Sequence, residues 1–402
     1  MDDLLNVRMS GPLQPFAAGF VVELVRQGYT PGSAGTQVRL MAHLSRWLSG
    51  QGLDAAGVSP SVLRRFLLAR RTAGYRLLRS PQALTPLMGY LRGLGVVPAD
   101  VVVQASGPAD VALERFRTYL RGERGLTAAA ARGYVDLVAP FVAGRVQGEV
   151  LALQDLGAGD VSAFMLAQAG RFSPKTMQRL ASALRSLLGF WHLRGDLGVS
   201  LVETVPKVAY RSAGLARGLA PEQVTAMLAS CTPERPAGLR DRAMLLLLSR
   251  LGLRCGEVAA LQLGDVNWRS GQITVRGKGN RTDVLPLPVD VGMAMATYLR
   301  SGRPTTASGR SVFVRVRAPH RELTSGGVTQ AVAAAAQRAG LGIIYGHRLR
   351  HTAATSMLAA GGSLTEIGQV LRHRHPLTTA TYARVDVEAL RPLARPWPGV
   401  RS

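Results

Sequence analysis

The stretch GQITVRGKGNRTDVLPL, at 271–287, fixes the class of fold available to the second half of the chain. Two short runs of strand-forming residues flank a Gly-Lys-Gly-Asn turn, which is a hairpin pattern. Strands joined by so short a turn pair antiparallel. On either side the texture is helical. LRDRAMLLLLSRLGLRCGEVAALQL, at 239–263, reads as two helices broken near Gly252. VTQAVAAAAQRAGL, HRLRHTAATSMLAAG and SLTEIGQVLRH read as three more. Gly361-Gly362 ends the second of these, and Ser363 with Glu366 forms a capping box for the third. The expectation is a mainly α protein with a small antiparallel β-sheet, an α+β domain.

The first 200 residues carry helical patterns without strong strand signals. GFVVELVRQGYTPGSAGTQVRLMAHLSRWL, FLLARR and LMGYLRGLGVV lie in 18–97. LERFRTYLRGERGLTAAAARGYVDLVAPFV, FMLAQAGR and LLGFWHLRGDLGV follow in 113–199. The order of features is similar, and it fits either a duplicated helical module or two unrelated bundles with ordinary patterning. SPKTMQRLASALRSLLGFW, at 173–191, is the sharpest helix: Ser173 caps it, Pro174 suits its first turn, and Met177, Leu180, Leu184, Leu187 and Trp191 form an apolar stripe. Lys175, Arg179, Ser182 and Arg185 fall on another face, which is either a solvated charged face or a surface for DNA phosphates. The expected division is a helical module at 1–104, a second at 105–200, a linker at 201–217 and a final domain at 218–402.

Charge narrows the partner. Lys and Arg number 49 against 25 Asp and Glu, a formal net charge of +24 over 402 residues. Such an excess favours polyanions, nucleic acid first and an anionic membrane surface second. No apolar run reaches the roughly 18–20 residues that span a bilayer. MDDLLNVRMS is acidic where a signal peptide would be basic, so the expected location is the cytoplasm. Cys231 and Cys255 are too few for a disulfide framework or a zinc site, and both are expected reduced. Lysine occurs only at 175, 207 and 278, while arginine supplies the other positive charges. A lysine kept in such a chain draws attention, because it can give up a proton where arginine effectively cannot.

Several polar residues of the second half are unremarkable singly. Arg254 follows a helix break and could simply pair with Glu257. His347 and Arg350 share a helix face. Lys278 sits at a hairpin tip, and Tyr382 would usually be a packing tyrosine. Together they suit one chemistry. A phosphodiester under attack gathers negative charge on its non-bridging oxygens, which two guanidiniums can clamp. Histidine and lysine can move the protons of the attacking and leaving oxygens. No carboxylate cluster has two-metal character, so side chains must supply the positive charge and no metal or other cofactor is expected.

The second half resembles the tyrosine recombinase (phage integrase) family, above all its Xer-like members. GLRCGEVAALQLGDVNW is similar to the family's first arginine motif, ITVRGKGNRTDVLPL to its hairpin lysine motif, HRLRHTAATSML to its His-x-x-Arg motif and LRHRHPLTTATYARV to its Leu-Gly-His…Tyr motif. The resemblance is specific over 216–402, plausible over 108–200 as a core-binding domain, and poor over 1–100. It implies helical DNA-binding domains that close with the catalytic domain as a C-shaped clamp around DNA. Arg254 and Arg350 would hold the scissile phosphate. Lys278 would protonate the leaving 5′ oxygen, His347 and His373 would assist at the phosphate, and Tyr382 would attack it to give a 3′-phosphotyrosine. Glu257 would support Arg254. Lys175, Arg179, Arg185 and Arg281 are the further candidate DNA contacts. The implied partners are double-stranded DNA with specific recombination sites, three more copies of the chain in a synaptic tetramer, accessory proteins where the element uses them, and no membrane. The tail after Tyr382, with Val387, Leu390 and Leu393 at helical spacing, resembles a segment that docks on a neighbouring subunit; docking on its own domain is the alternative.

Two departures stand out. Leu371-Arg372-His373 has arginine where the family has glycine, so Arg372 needs room or a phosphate of its own. Tyr345-Gly346 replaces the common Ser/Thr-Pro before His347, so the cap of that helix is expected to differ. The extra N-terminal module leans towards an integrase of a mobile element. The rival readings are a type IB topoisomerase, which shares much of this chemistry without synapsis, and a catalytically silent DNA-binding protein on the same fold.

Overall fold

The computed structural model describes residues 7–98, 107–209, 218–277 and 282–372. Two compact units result, one within Pro98–Ala213 and one combining Met1–Val97 with Gly214–Ser402.

Within the second of these units, the N-terminal part is four helices: α1 (Ala17–Arg26), α2 (Pro31–Gly50), α3 (Pro60–Thr72) and α4 (Pro81–Gly93). Their starts are written in the sequence. Thr30 and Ser59 accept hydrogen bonds from the backbone N–H groups of Ser33 and Val62, and a proline follows each as the first helical residue. Phe20, Leu24, Met41, Leu44, Phe66, Leu87 and Leu91 fill the core between them. Gly28, at φ +82°, turns the chain from α1 to α2. A Cβ there would lie 2.5 Å from His320 Cδ2, so this turn seats directly against the loop that carries His320.

The unit within 98–213 is a second set of four helices: α5 (Pro108–Gly122), α6 (Ala128–Ala143), α7 (Ala158–Ala169) and α8 (Pro174–Leu193), with a small hairpin of β1 (Val146–Gln147) and β2 (Val150–Leu151) between α6 and α7. Ser173 caps α8 through the Thr176 N–H, and Met177, Leu180, Leu184, Leu187 and Trp191 are all buried, as the stripe predicts. In both sets the first helix packs on the second and fourth, and the third packs on the fourth. The long helix, however, is the second in one and the fourth in the other. Leu201 and Val205 are buried in the α5–α8 core and Val208 packs against it. The segment expected to be linker from 201 onward is therefore part of this unit through Val208.

The remaining part is helical around a three-stranded sheet. In order come α9 (Pro221–Ala229), α10 (Pro236–Arg250), α11 (Cys255–Ala260), β3 (Val266–Asn267), β4 (Gln272–Arg276), β5 (Thr282–Pro286), α12 (Val289–Thr297), α13 (Ser325–Arg338), α14 (Gly346–Ala359) and α15 (Leu364–Val370). The sheet is antiparallel in the order β3-β4-β5, and Val275 stands opposite Asp283. α10 runs through the middle of this core, with Met244, Leu245, Leu247 and Leu248 buried, and packs on α12, α13 and α14. Leu219 N–H donates to Thr352 Oγ1, tying the start of the part to α14. Ser363 and Glu366 form the predicted capping box of α15. The mainly α architecture with a small antiparallel sheet is as expected.

Candidate active site

Arg254 stands where α10 gives way to α11. Gly252, at φ +60°, reverses the chain, and Arg254 becomes the residue before the first turn of α11. Glu257, 6% exposed, folds back from that turn. Its Oε2 accepts from the Arg254 backbone N–H at 2.8 Å and its Oε1 from Arg254 Nη1 at 2.7 Å. The carboxylate thus fixes both ends of the arginine, yet the Arg254 side chain stays 44% exposed. It is held in place and still open to a ligand.

α14 brings the His-x-x-Arg pair to the same place. Tyr345 gives its first turn no side-chain cap, consistent with the missing Ser/Thr-Pro. A Cβ on Gly346 would run into Cys255 Sγ, so α14 starts close against α11. His347 is exposed, and its ring centroid is 4.3 Å from that of His351. Burial chiefly, then the neighbouring His347 and Arg350, pushes His351 down to about 4. Arg350 is enclosed, at 2% exposure, and donates from Nη1 to the Gly252 carbonyl and from Nη2 to the Leu371 carbonyl. A Cβ on Gly252 would collide with Leu371. One guanidinium therefore stitches the α10–α11 turn to the end of α15. His347 and Arg350 lie on one helix, but only His347 is open to solvent.

The third element is the end of α15. Arg372 adopts φ +56°, a left-handed conformation rare for a residue with a side chain. Its side chain, 7% exposed, donates from Nη2 to Glu257 Oε2 at 2.7 Å and from Nη1 to the Val370 carbonyl at 3.3 Å. Its Nε is buried without a hydrogen bond, 3.9 Å from Asp283 Oδ2 on β5. The arginine at the family's glycine position thus keeps the glycine-like backbone and finds a carboxylate, where the sequence pointed to free room or a phosphate. Glu257 serves two guanidiniums, from positions 254 and 372. Charge-assisted pairs of this kind fix geometry as well as charge. Sequence reading missed this link because its partners are 115 positions apart; the signal was a charged residue where a left-handed turn calls for glycine.

The hairpin is rooted beside this cluster. Arg276 Nη1, at the end of β4, bonds the buried Asp265 at 2.6 Å. Lys278, Arg281, His373 and Tyr382 lie outside the described residues. Among the described residues no three His, Cys, Asp or Glu side chains gather as metal ligands would, and no helix is long and apolar enough to cross a membrane. Cys231 and Cys255 are both free thiols, and burial raises the pKa of each.

On α8, Lys175 and Arg179 are exposed. Arg185 is half-buried and donates to the carbonyls of Val205 and Pro206 at 2.9 and 3.1 Å. These bonds anchor the segment after the helix to α8, which the sequence did not show.

Residues 217–389 match the phage integrase family. A protein of Sinorhizobium fredii named as a candidate integrase/recombinase, y4rA, is 37% identical over 99% of this chain and 98% of its own length. The chain belongs to the phage integrase family of tyrosine recombinases. Tyrosine recombinase XerC of Herpetosiphon aurantiacus is 31% identical over 68% of this chain and 90% of its own length. The fold is shared with the XerH site-specific recombinase solved on its palindromic difH substrate (TM-score 0.56, 18% identity, 82% of this chain and 93% of that one). It is shared also with the lambda integrase tetramer solved on a Holliday junction (TM-score 0.53, 15% identity, 82% and 93%). The y4rA likeness extends through 1–100, where the family resemblance of the sequence was poor.

Proposed function

We propose that this recombinase cuts duplex DNA at specific sites and rejoins it through a covalent 3′-phosphotyrosine on Tyr382. The observation that carries the reading is the meeting of three separate motifs at Glu257 and Gly252: Arg254 just before α11, Arg350 on α14 one turn after His347, and Arg372 next to His373. Arg254, open and oriented, takes the non-bridging oxygens of the scissile phosphate. Arg350 is the second guanidinium for that phosphate, and its bonds to the Gly252 and Leu371 carbonyls fix its position. His347 and His373 hydrogen-bond the phosphate and assist proton transfer. Tyr382 passes its proton to an imidazole of His347 or His373 as it attacks phosphorus; the bond to the 5′ oxygen breaks, and Lys278 gives that oxygen its proton. The phosphotyrosine conserves the energy of the broken bond, so a 5′-hydroxyl from a second duplex can reseal it with no cofactor.

Residues 107–208 serve as the core-binding domain, with Lys175 and Arg179 on phosphates. The lambda integrase tetramer on a Holliday junction supports a four-subunit synapse here, and a DNA substrate puts the protein in the cytoplasm. The test is incubation of the full chain with duplexes carrying the ends of its native element. A denaturation-resistant protein–DNA adduct and joined strands are expected. Relaxation of supercoiled DNA without joined product would favour the topoisomerase reading, and absence of any adduct would leave a silent DNA-binding protein.

A further inference from the structure

Between Asp54 and Asp100 the chain has no aspartate or glutamate. Arginines crowd α3 and the loop after it: Arg64, Arg65, Arg71, Arg76 and Arg79 are all exposed. The loop is also built. Arg70, 8% exposed, lies 4.1 Å from the Tyr75 ring centroid and donates to His43 Nδ1 at 3.1 Å and to the Leu77 carbonyl at 3.2 Å. Arg71 donates to the Arg79 carbonyl at 3.2 Å, and the Tyr75 ring meets His43 edge-on at 5.1 Å. Leu78 turns at φ +54° and packs on the module's core, which leaves Leu77 77% exposed beside it. Taking a guanidinium out of water is unfavourable unless its donors are met. Here both terminal nitrogens of a buried arginine are met, by His43 and by the loop's own carbonyl, while its Nε is buried without a hydrogen bond, and the loop they brace displays Arg76, Leu77 and Arg79 beside Arg64 of α3.

Separated guanidiniums around an exposed apolar side chain match a DNA groove, where arginines meet phosphates and an apolar group lies against sugars or a base step. We propose that α3 and the 73–80 loop form a second DNA-binding surface, which grips the substrate duplex beyond the base pairs held at the catalytic site. The inference rests on the reading of the protein as a DNA recombinase. Arg64, Arg76 and Arg79 neutralise phosphates, Leu77 lies against the groove wall, and Arg70 holds the loop in shape. The acid-free sequence keeps repulsion away from the backbone of the duplex.

The test compares the full chain with the triple variant Arg64→Ala/Arg76→Ala/Arg79→Ala, on a long duplex bearing the native site and on one trimmed to the core. Each phosphate contact adds about 0.9 to the slope of log affinity against log salt. The variant is expected to lose about 2.7 of that slope on the long duplex and about 10²-fold in affinity near 0.1 M salt, and to match the parent on the trimmed one. Adduct formation at saturating DNA stays unchanged. Arg70→Met, which leaves every exposed charge in place but frees the loop, is expected to weaken long-duplex binding as well. Equal slopes for parent and triple variant on the long duplex would overturn the proposal. So would loss of binding to phosphatidylserine vesicles with the DNA slopes intact, which would assign the surface to a membrane. Failure of the parent to form an adduct would bear on the catalytic reading alone, since the slopes are read from binding.

Discussion

Beside Glu257, two guanidiniums share one buried carboxylate; along α3 and its loop, exposed arginines stand in a stretch that has no carboxylate at all. The α5–α8 unit lies between these extremes, with pairs such as Arg145–Asp160 at 2.7 Å. The same side chain is thus used in two ways. At the site, the protein provides the counter-charge, because a catalytic guanidinium must be in place before substrate arrives. On the α3 surface, the counter-charge is left to the ligand, because affinity there comes from releasing the counterions of DNA. The first use makes arginine a matter of fold stability and chemistry; the second makes it a matter of salt-dependent binding.

The sharpest separation of the two uses comes from Tyr382→Phe. Removing the nucleophilic oxygen is expected to abolish the covalent adduct, while gel-shift affinity and its salt slope remain those of the parent. Any phenylalanine variant that still forms an adduct would break the assignment. Next in size is Lys278→Arg. In the proposed mechanism this lysine matters for its proton, with an unperturbed pKa of about 10.4 against 12.5 or more for arginine. The variant is expected to keep charge and binding and to lose about 10²–10⁴-fold in single-turnover cleavage. A substrate with sulfur at the scissile 5′ position needs no proton to leave and should restore most of the rate. Equal defects on oxygen and sulfur substrates would reduce Lys278 to a positioning charge.

Glu257 tests the built counter-charge directly. Glu257→Ala strands the enclosed Arg372 guanidinium, and breaking a buried pair costs about 3–5 kcal/mol. Arg64→Ala, on the open surface, should stay within about 0.5 kcal/mol of the parent. Chemical denaturation of the two variants measures the contrast. Arg372→Gly both removes one guanidinium and relieves the left-handed backbone, so the double variant Glu257→Ala/Arg372→Gly should be more stable than Glu257→Ala alone. A double variant less stable than the single would show that the shared carboxylate is not what holds these elements together.

What was legible in the sequence was what local chemistry writes. The β4–β5 hairpin follows from two β-rich runs around a glycine turn, and α8 and α15 from a capping serine ahead of a periodic apolar face. β3, two residues long, has no periodicity to show; it exists because Val266 finds Ile273 across the sheet. The tie from Arg185 to Val205 and Pro206 left no mark in the sequence because its acceptors are backbone carbonyls, which any residue carries. The sharing of Glu257 was hidden for the same reason that it matters: it joins elements distant in the chain. The sequence motifs suggested candidate site residues, but which of them would be open, as Arg254 is, and which enclosed, as Arg350 is, depended on tertiary packing.

The smallest expected effect is one of pH, and it belongs to the buried side of the comparison. His351 lies on α14 against His347, where burial first, and then the neighbouring His347 and Arg350, lowers its pKa to about 4 from an ordinary 6.5. The folded protein therefore keeps it neutral over a range in which the unfolded chain takes up a proton. Between about pH 6.5 and 4 the unfolded state binds more protons, so stability falls as the pH is lowered through that window and is complete above it. Partial solvent access limits the loss to about 1–3 kcal/mol. Replacing His351 with asparagine removes the titration, so the fall in melting temperature from pH 6.5 to 4.5 should be shallower in the variant than in the parent. The exposed arginines of α3 stay charged across the same range, and Arg64→Ala should leave the pH profile of the parent as it is. Parallel profiles for the parent and His351→Asn would mean that His351 is protonated in the folded protein, with a positive charge accommodated next to Arg350.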